Sequence, residues 1–73
     1  MRQSVRIRAI YQPDGTEYTW TASRFRTSFK SNLQEWFYTT HDGTERYGGR
    51  NWQECVARIL ATADGYNYQA IVS

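Results

Sequence analysis

Seventy-three residues with a formal net charge of +2 leave room for one small domain, and a chain of this size buries only about 60% of the surface its unfolded form exposes. The single cysteine, Cys55, excludes an internal disulfide. With no apolar N-terminal leader and no run near the roughly 20 apolar residues of a membrane span, a reducing, cytoplasmic setting without a membrane partner is expected.

Three Trp, six Tyr and three Phe must supply much of the core, at roughly 150–250 Å² each. The charge is uneven. Residues 1–30 carry Arg2, Arg6, Arg8, Arg24, Arg26 and Lys30 against Asp14 and Glu17, a net +4, while residues 31–73 come to −2. A partner's phosphates or carboxylates would be met by the first half.

In chain order, Ser4-Val5-Arg6-Ile7-Arg8-Ala9-Ile10-Tyr11 alternates. Val5, Ile7, Ala9 and Tyr11 share one face of a strand, with Arg6 and Arg8 on the other. Pro13-Asp14-Gly15 then predicts a hairpin turn, with a second, antiparallel strand from about Thr16. An Asp-Gly-Thr-Glu phrase recurs at Asp42–Glu45. It is too short for a repeat architecture and reads as a second, independent turn, between strands around Leu33–Thr40 and Thr44–Gly49.

Trp52, Val56, Ile59, Leu60 and Ala63 recur at helical spacing, with Cys55 at the edge of the same arc. Asn51 is placed as N-cap, Glu54 completes a capping box and Gly65 offers a left-handed C-terminal residue, so the spacing predicts a helix from Trp52 to Ala63. Tyr66, Tyr68, Ala70 and Val72 alternate with Asn67, Gln69 and Ile71, which predicts a closing strand. The expected fold is a single α+β domain over residues 1–73. It has an antiparallel sheet of four to five strands in the order β-β-β-β-α-β, with the helix on one face.

The leftover sheet face becomes the functional question. In Glu17–Lys30 the residues Tyr18, Trp20, Arg24, Arg26 and Lys30 share one parity, and Phe25 and Phe29 the other. A continuous strand would put the first set on one face, a basic and aromatic combination suited to phosphates and bases. A bulge at Ala22-Ser23 would instead turn Tyr18 and Trp20 inward with the phenylalanines and leave only the basic residues outside. Arg6 and Arg8 join that side if the strand order makes them neighbours.

No motif reaches a catalytic or cofactor signature. Cys55 has no base in sequence reach and reads as core. His41 with Asp42, Asp14 or Glu45 lacks metal-ligand spacing, and Arg46–Arg50, with its two glycines, reads as a loop rather than a phosphate cradle. The expectation is a non-enzymatic binding protein without cofactor, metal or small-molecule substrate. It would bind DNA or RNA through Arg6, Arg8, Arg24, Arg26 and Lys30, with Trp20 or Tyr18 as a stacking ring. The rival expectation is an inhibitor or adaptor module, of the kind found in viruses and mobile elements, that docks on an acidic protein surface, since Arg, Trp and Tyr also dominate interface hot spots.

Overall fold

The alternation along Gln3–Tyr11 and Glu17–Arg26 produces two long strands, β1 and β2, joined by a tight turn. The computed structural model describes residues 3–26 and 34–72, so Phe29 and Lys30 lie outside the described residues. β3 (Gln34–Thr39), β4 (Glu45–Gly49), the helix α1 (Trp52–Gly65) and β5 (Tyr68–Ile71) follow. All pairings are antiparallel, and the spatial order is β4-β3-β2-β1-β5. This is the expected β-β-β-β-α-β arrangement with one helix on one sheet face.

Each Asp-Gly-Thr makes its turn by the same local chemistry. Thr16 N–H donates to Asp14 Oδ1 at 2.9 Å and Thr44 N–H to Asp42 Oδ1 at 3.0 Å. Gly15 and Gly43 follow with φ of 74° and 87°, a region that glycine enters without steric cost.

Helix-side residues form rows across the sheet. Ile7 stands opposite Trp20, Val5 opposite Ala22, Ala22 opposite Tyr38 and Arg24 opposite Trp36. Ile7, Ala9, Trp20, Ala22, Trp36 and Tyr38 are buried. Alanines at 9 and 22 leave the volume that the indoles and Tyr38 fill, as a close-packed interior requires. The helix packs on β3, β4 and β5, reaching both edge strands. Fourteen residues make a rod about 21 Å long, close to the roughly 19 Å between the outer strands of a five-stranded sheet.

The helix buries Cys55, Ile59 and Ala63, with Trp52 packed on Trp36 at 4.7 Å between ring centroids, the rings tilted by 49°. Leu60, expected in the core, is 46% exposed. The apolar arc is wider than the strip the sheet covers, and the centre of that strip lies on the i, i+4, i+8 line of Cys55, so Cys55 is central rather than peripheral.

Asn51 Oδ1 accepts from Glu54 N–H at 2.8 Å, while Glu54 Oε2 reaches back to Arg50 N–H at 3.4 Å, one residue before the one a capping box predicts. At the other end the left-handed residue is Asn67, at φ 63°, instead of Gly65. Two further residues stay helical, and Asn67 N–H then returns to Asp64 C=O at 3.3 Å. Asparagine is the commonest substitute for glycine in that conformation.

Candidate functional site

The two faces of β2 decide which sequence-derived site residues come together. Pairing of β2 with β1 and β3 runs without a shift through Ala22 and Ser23. The strand is therefore continuous, and the bulge is absent. Trp20, Ala22 and Arg24 consequently share the helix side, and Trp20 is 1% exposed. As placed, its indole is core and has no free face for a base. Tyr18 is half-buried, with its ring stacked on His41 at 4.2 Å.

Arg24 is half-buried beside Trp36, and its Nε is closed off from water without an acceptor. Arg6 and Arg8 face Thr21 and Thr19 across the strands, so they stand on the sheet face opposite to Arg24. The expected gathering of five cations on one face does not form. Arg26 ends β2 opposite Gln34.

The open face carries a pattern that parity alone left unread. One row across it is Ser4, Ser23, Phe37 and Tyr47, and the next is Arg6, Thr21, Thr39 and Glu45. Phe25 stacks on Phe37 with centroids 4.9 Å apart, and Phe37 meets Tyr47 edge-on at 5.6 Å. Three rings on three neighbouring strands thus make one apolar strip, continued toward Arg6 by serine and threonine hydroxyls.

Arg8 is held by Glu17, Nε to Oε1 at 2.6 Å, whereas Arg6 is exposed and enters no ion pair among the described residues. Tyr47 Oη donates to Glu35 Oε1 at 2.9 Å, and that carboxylate raises the phenol's pKa. Glu35 is followed by the unbroken aromatic run Trp36-Phe37-Tyr38, which hides the alternation. The register shift between Trp36 and Phe37 moves the two faces further out of simple phase.

A second feature lies on the helix side, where the β3–β4 turn meets β5. A cavity of about 240 Å³ is lined by Trp20, Thr40, His41, Asp42, Arg46, Tyr66 and Tyr68. Trp20 Nε1–H donates to His41 Nδ1 at 3.1 Å, and His41 Nε2 lies 3.3 Å from Tyr68 Oη. Indole N–H is a donor only, so Nδ1 is the acceptor and the neutral ring carries its proton on Nε2, facing Tyr68.

Asp42 Oδ1 also accepts from Thr40 Oγ1 at 2.5 Å. That bond first, and Thr44 N–H second, lower the carboxyl pKa to about 2. Arg46 places its guanidinium 5.7 Å from the Tyr66 ring centre, and its Nε is shut off from water without an acceptor.

Cys55 is fully buried, and that desolvation pushes its thiol up to about 11, against a smaller opposing pull from Arg58. Its Sγ fills the space of a Gly48 side chain, where a Cβ would lie 2.7 Å away. His41, engaged by Trp20 and Tyr68, is not its base. At Gly49, φ is 116° and a Cβ would meet the Glu54 carboxyl carbon at 2.5 Å, so the glycine pair serves the turn into the helix. No group of three or more His, Cys, Asp or Glu suited to a metal ion occurs among the described residues, and no helix is long and apolar enough to cross a membrane. No family model, curated protein or solved structure matches the chain.

Proposed function

We propose that the chain is a small non-enzymatic binding protein that takes a single strand of nucleic acid on its open sheet face. The observation that carries this reading is the contiguous strip Phe25, Phe37 and Tyr47 beside a hydroxyl row that ends at Arg6, on the side without the helix. Unpaired bases stack on aromatic rings, hydroxyls meet sugar and phosphate oxygens, and Arg6 supplies a cation that has no carboxylate to release among the described residues. A duplex hides its base faces, so single strands are preferred. Arg8 must first give up Glu17, and Arg24, on the other face, takes no part. Arg26 and Lys30 continue the chain beyond Phe25 and remain phosphate partners in this proposal.

The protein-partner reading is favoured by one observation, that Glu17, Glu35 and Glu45 share this face with Arg6 and Arg8 and make its charge mixed. The two readings separate in a salt series with single-stranded DNA and RNA. Phe37→Ala should weaken binding by about 1–3 kcal/mol with the salt slope unchanged, and Tyr47→Ala, at an exposed site, should act the same way. Arg6→Ala should flatten the log–log slope by about 0.7. Absence of binding to any single strand at low salt rejects the nucleic-acid reading. Capture of a protein by the wild type but not by Phe37→Ala, from nuclease-treated extract, supports its rival.

A further inference from the structure

The cavity at the second turn holds one cation and one anion that do not neutralise each other. Among the described residues Arg46 enters no ion pair, although Asp42 lines the same cavity. Asp42 spends Oδ1 on Thr40 and Thr44. His41 offers nothing further, because both ring nitrogens are engaged. The remaining walls are the rings of Trp20, Tyr66 and Tyr68. At about 240 Å³ the space falls below the roughly 300–1,000 Å³ of sites for drug-sized ligands, so an occupant must be small.

We propose that this cavity binds a small zwitterion, a free amino acid or its analogue, with its carboxylate on Arg46 and its ammonium between Asp42 and the aromatic walls. A guanidinium whose Nε is buried without an acceptor is a costly arrangement, and a carboxylate reaching its outer nitrogens offsets part of that cost through a charge-assisted pair. An anion alone would be repelled by Asp42, which its turn keeps ionised. An amine alone would be repelled by Arg46. A ligand with both charges meets each with its opposite, and an ammonium is also attracted by ring faces. The site lies on the helix side and shares none of the strip residues, so it stands or falls independently of nucleic-acid binding.

Backbone amide shifts of the intact protein should be followed by NMR during titration with glycine, L-leucine and L-phenylalanine. For leucine, the two singly charged halves are 4-methylpentanoate and 3-methylbutylamine. Saturable shifts at Thr44, Arg46 and Tyr68, with at least one amino acid binding about tenfold or more tightly than either of its halves, are expected. Asp42→Asn should erase the preference over the acid-only half, and Arg46→Gln should remove binding while the spectrum stays dispersed. Should no amino acid give saturable shifts, or a singly charged half bind as tightly, the proposal is overturned without recourse to any variant.

Discussion

Asp14-Gly15-Thr16 and Asp42-Gly43-Thr44 are the same three residues in loops of different length, with four residues between Tyr11 and Thr16 and three between Thr40 and Thr44, and they do different work. Both aspartates accept a threonine N–H two residues on, and both carboxyls lie below their ordinary pKa for that reason first or second. The first turn is preceded by Gln12 and Pro13, both exposed. The second is preceded by Thr40, which is 8% exposed, and by His41, which rests on Tyr18 and bonds Trp20 and Tyr68. A turn's aspartate-to-threonine bond is thus set by its own residues. The turn's consequences come from the two residues before it and from what the sheet places beneath them.

Breaking that difference at its base should have the largest effect. Trp20→Ala should cost about 3–5 kcal/mol by the cavity it leaves. Amide exchange at Thr44 should accelerate beyond that at Thr16, because only the second turn sits on the indole. Equal acceleration at both turns would show that His41 does not tether its turn. Ile59→Ala, under the helix, should cost about 2–5 kcal/mol and affect both turns alike in chemical denaturation and exchange.

Thr40→Val sharpens the comparison. It removes the strongest hydrogen bond to Asp42, so the carboxyl should rise from about 2 toward the value of Asp14, as read by NMR titration, and Tm should fall modestly. An unmoved Asp42 would mean that the Thr44 amide alone holds it.

Acid gives the smallest and most selective effect. Asp42 has a folded-state pKa of about 2 against an ordinary 3.8, so the stability it contributes is fully present above pH 3.8 and is lost as pH falls through 2. Asp14 is shifted in the same direction without a second hydroxyl donor. In thermal melts between pH 5 and pH 2, Asp42→Asn should remove more of the acid dependence than Asp14→Asn. The opposite ranking would refute the role given to Thr40.

Local chemistry in the sequence determined the elements: β1 from its alternation, both turns from Asp-Gly-Thr, the helix start from Asn51 and Glu54. These depend on contacts within a few residues, so spacing reports them directly. The closing strand was legible for the same reason, since Tyr68 and Ala70 keep their alternation. Only the tertiary structure decided which parity of β2 is covered. A period of two separates Trp20 and Arg24 from Phe25, but both sets contain aromatics, and nothing local says which one the helix will meet. The strand register and the side taken by the helix settle it, placing Trp20 inside and Arg6 on the face opposite to Arg24. Leu60 fell outside the core because the buried stripe is centred on Cys55, Ile59 and Ala63, to one side of the apolar arc, and only the packing of the helix on the sheet decides which part of the arc is covered. The cavity was unreadable because Trp20, His41, Arg46, Tyr66 and Tyr68 come from four separate segments. They become neighbours only when long-range strand pairing has closed the loops between them.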